Sequence, residues 1–457
     1  MVVWPLNWIL MRHPGRWQVL MLVSGYVFYA WWDWRFAFLL AASTLANQMF
    51  AVSVSKSKDQ QRRKLILALA VIANLSLLGW FKYFNFFTTS AANMLGRVGI
   101  DWAAPAVTTV LPVGISFFTF MALSYVIDAY RGTFQPTSLS KFAVFLSFFP
   151  HIVAGPIVRP AELVPQFESP RDPRRIDASR AFFLIAGGMF KKVVIAGEMA
   201  KLADPVFTSP GTHSAPEVII GIYAYAIQIY ADFSGYTDMA IGLALLLGFK
   251  FPLNFNRPYS AEGLRDFWQR WHMTLSRWLR DYLYIPLGGN RKGPSRTSVN
   301  LLATMILGGL WHGAAWTFLA WGTLHGAGLV AEHRLAARRQ ARGARFHPPA
   351  WLVRLITLNF VVFAWIFFRA TSFSNAFAVI GRVFSGWGEA GAVSAGSVAL
   401  IVGMIAIQQL RGQFGERMMA AFSRFHWAAQ GAALGVALLF IGALSPAGVA
   451  PFIYFQF

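Results

Sequence analysis

The chain has 457 residues, of which 56% are hydrophobic, 16% aromatic and only 13% charged. Soluble domains run at about 45–50% apolar and about 25% charged residues, so this balance excludes an ordinary water-soluble globule and points to a membrane protein. Net charge is +21, from 40 Lys and Arg against 19 Asp and Glu, and the lack of cysteine excludes disulfides, thiolate catalysis and cysteine-based zinc sites.

In chain order, Arg12 and Arg16 precede an apolar run at 17–31, as in a signal peptide. "YVFYAWWDW" stands where a small-residue cleavage site belongs, so this first span is expected to be retained. Further apolar stretches follow at 35–54, 65–87, 107–127, 141–157, 181–203, 217–249, 298–331, 350–368, 393–410 and 427–446. A crossing helix needs about 20 apolar residues, and allowing for broken and paired segments these stretches predict roughly ten to twelve spans. None alternates with period two, which excludes a β-barrel. The expectation is an all-α, polytopic transmembrane helical bundle with re-entrant and interfacial helices. No repeat and no long linker interrupts it, so residues 1–457 read as one membrane-embedded domain.

The positive charge gathers in short loops: "KSKDQQRRK" (56–64), "ESPRDPRRIDASR" (168–180) and "EHRLAARRQARGARFH" (332–347). That is the positive-inside signal, and it replaces nucleic acid as the explanation of the charge. Placing all three loops in the cytoplasm requires 141–157 and 298–331 each to enter and leave on the same side. His312 then falls near the turn of an intramembrane hairpin. The stretch 332–347 is expected to extend the preceding helix, since Ala and Arg are good helix formers. The loops would also suit an anionic donor arriving from the cytoplasm, although topology alone accounts for them.

Residues 254–292, "NFNRPYSAEGLRDFWQRWHMTLSRWLRDYLYIPLGGNRK", are too charged to span. At 3.6 residues per turn, Trp268, His272, Leu275, Leu279 and Tyr282 share one stripe, which predicts an interfacial helix. Arg270, Arg277 and Arg280 point elsewhere and could reach phosphates of membrane lipids or of a donor.

Several chemistries are absent from the sequence. It has no HExxH for a zincin, no His followed five residues later by Asp, and no GxSxG elbow. "GNRKGP" (289–294) starts like a phosphate loop but has proline in place of the lysine. No metal site is expected.

Histidines remain. "GGLWHGAAWTFLAWGTLHG" (308–326) holds His312 and His325 in apolar surroundings. In one unbroken helix they would lie about 20 Å apart along the axis and roughly 220° around it, unable to share a reacting atom. Gly308, Gly309 and Gly313 make a kink plausible. Each of His312, His325 and His272 is either a packed hydrogen-bonding residue or a reaction centre. A desolvated, neutral imidazole suits removal of a proton from an alcohol attacking a thioester. Asp128, Asp232 and Asp238 are further oddities. Asp232 and Asp238, with Ser234 and Gly235 between them, read as a cation site or, preferably, as helix caps at a broken span.

Six segments in order then resemble the membrane-bound O-acyltransferase family, in its branch of bacterial alginate O-acetyltransferase membrane components. They are "KYFNFF" (82–87), "LPVGISFFTFMALSYVIDAYRG" (111–132), "FPHIVAGPIVRP" (149–160), "YADFSGYTDMAIGLALLLGFKFPLNFNRPY" (230–259), "FWQRWHMTLSRWLRDYLYIPLGGNRKG" (267–293) and "WHGAAWTFLAWGTLHG" (311–326). The resemblance covers about 79–370. It implies a helical bundle around a central tunnel, with His312 of the Trp-His-Gly motif, next to Trp311, as the catalytic residue. His272 would line the tunnel nearby, and His325 matches a further histidine in a supporting role. It also implies an inner-membrane acetyltransferase that takes acetyl groups from cytoplasmic acetyl-CoA as a substrate, with no bound cofactor. The acceptor would be a periplasmic polysaccharide such as alginate, reached directly or through an esterase-like partner protein. Acylation of peptidoglycan, cellulose or teichoic acid by the same chemistry stays open. So does a non-enzymatic transporter or scaffold of a polysaccharide export complex.

Overall fold

The computed structural model describes residues 2–105, 110–343, 348–388, 391, 393–410 and 412–445. The ends of three sequence features, 107–109, 344–347 and 446, lie outside the described residues. Every regular element among the described residues is helical, so the all-α expectation holds. The described residues group into two compact units, Met1–Ala181 with Ala240–Pro252, and Phe182–Met239 with Leu253–Phe457.

The first unit is built on long helices with carboxylate starts. Asp33 accepts from the Arg35 amide and opens Trp34–Lys56; Asp59 accepts from the amides of Gln61 and Arg62 and opens Gln60–Leu78. These satisfy amide donors that a helix start otherwise leaves bare. The second helix runs on through a π-turn, Gly79–Tyr83, into Phe84–Arg97. Asn47 and Asn74 exchange side-chain hydrogen bonds of 3.2 and 2.8 Å between the two helices. With no water to compete, such pairs fix helix against helix. The stretch 141–157 forms a nine-residue helix, Leu139–Ser147, and then leaves helical geometry near Pro150, an element too short to cross.

Residues 181–203 become Ala178–Met189, which lies in the second unit after Ala181, and Ala196–Thr208 around a π-turn, Phe190–Ile195. Residues 217–249 fold mainly as Ala215–Leu246, whose end after Met239 falls in the first unit. The stretch 298–331 is a helical hairpin, Gly293–His312 and Trp316–Ala341, turning at 313–315. Its second helix carries the basic residues 332–341, as expected.

Among the described residues, five helices are long and apolar enough to cross a membrane: Trp34–Lys56, Gln60–Arg97, Ala215–Leu246, Ala350–Arg369 and Trp427–Leu444. The protein is a multi-pass membrane protein. Fewer helices pass this test than the roughly ten to twelve spans that stretch length alone suggests. Some apolar stretches fold as helices too short to cross, such as Leu139–Ser147, and others as longer helices not apolar enough, such as Trp316–Ala341.

Candidate active site

The hairpin's two helices touch backbone to backbone. A Cβ on Gly309 would stand 2.3 Å from the Phe318 carbonyl oxygen, and one on Gly322 would stand 2.3 Å from that of Met305. Only glycine permits this approach. The kink expected near Gly308, Gly309 and Gly313 is a full stop: the helix ends at His312, and Gly313 is extended at φ −157°.

His312 is therefore the last residue of its helix, and it is 3% exposed. Its ring lies 4.9 Å from that of Trp311, 5.1 Å from Trp321 and 5.3 Å from Phe368, centroid to centroid. His325 is fully buried, with its ring 4.9 Å from Trp321. The separation expected for an unbroken helix does not arise, because the turn brings both histidine rings against one indole, that of Trp321.

The predicted interfacial helix of 254–292 is broken. It divides into Leu264–Arg270 and Met273–Leu279, and His272 between them is left-handed, at φ 41° and ψ 53°. The stripe from Trp268 to Tyr282 is accordingly not one helix face. Residues 254–256 clasp the break: Met273 N–H donates to the Asn254 carbonyl and Asn256 N–H to that of Arg270, each at 2.9 Å. Asn254 Oδ1 accepts from Thr274 N–H at 3.2 Å and Thr274 Oγ1 at 2.9 Å, and it lies 3.1 Å from His272 Nδ1. The His272 ring meets Phe233 edge-on at 4.7 Å and Trp311 at 6.1 Å. Burial pushes its pKa from 6.5 down to about 3, so the ring is neutral in the physiological range.

Trp311 thus adjoins His272 and His312, and Trp321 adjoins His312 and His325. Three histidines and two tryptophans make one buried aromatic cluster. Trp268 closes its far side by donating from Nε1 to His325 Nδ1 at 3.3 Å. That bond places the His325 proton on Nε2, which is buried and meets no acceptor among the described residues. Glu332 holds Trp268 in place indirectly: its carboxylate accepts from Leu264 N–H at 2.6 Å, at the start of the helix carrying Trp268.

Asp232 and Asp238 do not cap a broken span. Both lie inside the continuous helix Ala215–Leu246 and pair with lysines of the Phe190–Ile195 π-turn. Lys192 bonds Asp232; Lys191 bonds Asp238 at 2.5 Å and Ser234 at 3.1 Å. Gly188 and Gly235 make the approach feasible, since a Cβ on either would come within 2.6 Å of the other's carbonyl oxygen. Carboxylates in low dielectric find counter-ions before they find amides. The candidate donor-binding arginines divide similarly. Arg270 pairs with Asp266 at 2.7 Å and Arg280 with Asp281 at 2.6 Å, while Arg277 is half-buried on Met273–Leu279. Sequence reasoning passed over Asn254, Trp321, Glu332 and the two lysines. Only the lysines, charged residues inside an apolar run, carried a visible signal.

The sequence model of MBOAT, the membrane-bound O-acyltransferase family, matches residues 23–376. The chain is 43% identical over 377 residues to "Probable alginate O-acetylase AlgI" of Pseudomonas putida, covering 80% of this chain and 75% of that one. It is 39% identical over 394 residues to "Peptidoglycan O-acetyltransferase" of Helicobacter pylori, covering 80% and 73%. To "Teichoic acid D-alanyltransferase" of Streptococcus thermophilus it is 31% identical over 232 residues, covering 48% and 56%.

Proposed function

The chain belongs to the membrane-bound O-acyltransferase family, and from that premise we propose that this acyltransferase works in a bacterial inner membrane. It takes acetyl groups from cytoplasmic acetyl-CoA and delivers them to hydroxyls of an extracytoplasmic polysaccharide. Alginate is the favoured acceptor because the relatives at 40–43% identity carry that name. Peptidoglycan is the second reading, on the Helicobacter pylori relative at 39%. Delivery is direct or through an esterase-like partner protein.

The observation that carries the reading is His312, buried at a helix end with His272 and His325 on either side across shared tryptophans. His312 takes the proton of the acceptor hydroxyl as its oxygen attacks the thioester carbonyl. The new C–O bond forms, the C–S bond breaks, and the proton passes to the departing thiolate. A water-poor aromatic site suits this chemistry, since water would otherwise compete as the acceptor. Arg270, Arg277 and Arg280 would receive the donor's phosphates.

The test uses proteoliposomes of defined orientation, with labelled acetyl-CoA on the face bearing residues 332–341. Label should reach a hydroxyl acceptor, or a co-purified partner, at the opposite face. His312→Ala should lower that transfer at least 100-fold with insertion unchanged, the range by which a single acid–base group contributes. Wild-type transfer by His312→Ala would remove the site assignment. Polysaccharide movement without donor would favour a transporter.

A further inference from the structure

His272 has two ring nitrogens, and which of them carries the proton decides whether it gives or accepts a hydrogen bond at the site. The atom facing Nδ1 is Asn254 Oδ1. Its identity as oxygen is fixed independently of the histidine, because Thr274 N–H donates to it and an amide nitrogen could not accept that bond. The Thr274 hydroxyl donates to the same oxygen at 2.9 Å. An oxygen facing Nδ1 requires Nδ1 to be the donor. The neutral ring therefore carries its proton on Nδ1 and its lone pair on Nε2.

We infer that Asn254 is a positioning residue: it holds His272 in the Nδ1–H tautomer, so that Nε2 accepts a hydrogen bond from an acceptor hydroxyl next to the attacking one and orients the acceptor, while the attacking hydroxyl's own proton goes to His312. The role of the hydroxyl rests on the acyl-transfer reading above; the hold on the tautomer does not. Free imidazole side chains favour the opposite tautomer, with the proton on Nε2, so a specific partner is needed to reverse it. His325 shows what another partner does. Trp268 donates to its Nδ1, which leaves the proton on Nε2. The histidines on either side of His312 are thus set oppositely, one accepting through Nε2 and one donating through it.

The local backbone is organised around this bond. Asn254 is 1% exposed and its carbonyl receives the Met273 amide, so the residue is held by main chain as well as side chain. His272 occupies a left-handed conformation that a non-glycine residue adopts only against a steric cost. That conformation turns its ring off the helix and toward Asn254, Phe233 and Trp311.

The test combines nitrogen-15 NMR of histidine-labelled full-length protein in lipid nanodiscs with the transfer assay. His272→Gln identifies the His272 ring signals by their loss. In the wild type these should report Nδ1 protonated and Nε2 bare. In Asn254→Ala they should move toward the Nε2–H pattern, and kcat should fall at least tenfold with little change in KM for the donor. Asn254→Asp keeps an oxygen for all three donors and carries the test if the alanine variant fails to fold. It should retain the tautomer and much of the rate, while its negative charge raises the His272 pKa and moves the acid limb of the pH profile upward. A purely structural asparagine would leave that limb where it was.

Unchanged ring signals in Asn254→Ala, or a switched tautomer at unchanged kcat, would overturn the inference. An unmoved acid limb in Asn254→Asp would do the same. If the wild type shows the Nδ1–H tautomer and transfers no acetyl group, the acyl-transfer reading falls and the hold of Asn254 on the ring stands.

Discussion

The neutral ring of His272 couples folding to pH with a definite sign. Its folded pKa, about 3, lies below the 6.5 of the ordinary side chain. Between those values the unfolded chain binds the proton and the folded chain does not. Stability is therefore full above pH 6.5 and declines as pH falls toward 3, at about 1.4 kcal/mol per pH unit for one proton. His272→Gln should remove that increment. Unfolding in detergent, followed from pH 7 to pH 4, should lose less stability in the variant than in the wild type. An equal loss in both would place the acid sensitivity elsewhere.

At the scale of elements, the hairpin and the broken 254–292 segment are held together by a carboxylate on one and amides on the other. Glu332 sits on the hairpin's second helix and satisfies the first amides of Leu264–Arg270. Glu332→Ala leaves those donors bare, at a cost of about 0.5–2 kcal/mol for a lost cap. The helix carrying Trp268 then loosens, and the bond from Trp268 to His325 goes with it. Hydrogen exchange should rise across 264–270 while the hairpin's own amides stay protected, and transfer should fall severalfold. The hairpin itself was legible in the sequence: the expectation that three basic loops share one side required 298–331 to return, and an apolar run with two histidines and flanking glycines marked where. The break at His272 was not, because helical periodicity continues unbroken through a residue whose backbone is left-handed. Asn254 was equally hidden, since a loop amide has no charge or period to betray it. Its partners, His272 and Thr274, lie about twenty residues downstream and meet it only once 254–256 folds back on 270–274.

For the whole molecule, composition announced the membrane and the helices, but the pairing of distant charges had to wait for the fold. Ser234 and Gly235 suggested local caps for Asp232 and Asp238, whereas the actual partners, Lys191 and Lys192, stand some forty residues upstream. That order matters during synthesis. The lysine-bearing segment emerges from the ribosome before the helix whose carboxylates pair with it. Until Ala215–Leu246 arrives, the nascent protein holds two lysines with no carboxylate from that helix beside them, a state open to membrane quality control. Asp232→Asn would make that state permanent for Lys192, and breaking a buried pair costs about 3–5 kcal/mol. The expected result is a several-fold loss of inserted protein, read by pulse-chase, with restoration when Lys192→Asp is combined with Asp232→Lys. Restoration by that exchange would make the pairs a checkpoint in biogenesis, passed only once the chain has been made through Asp238 and docked.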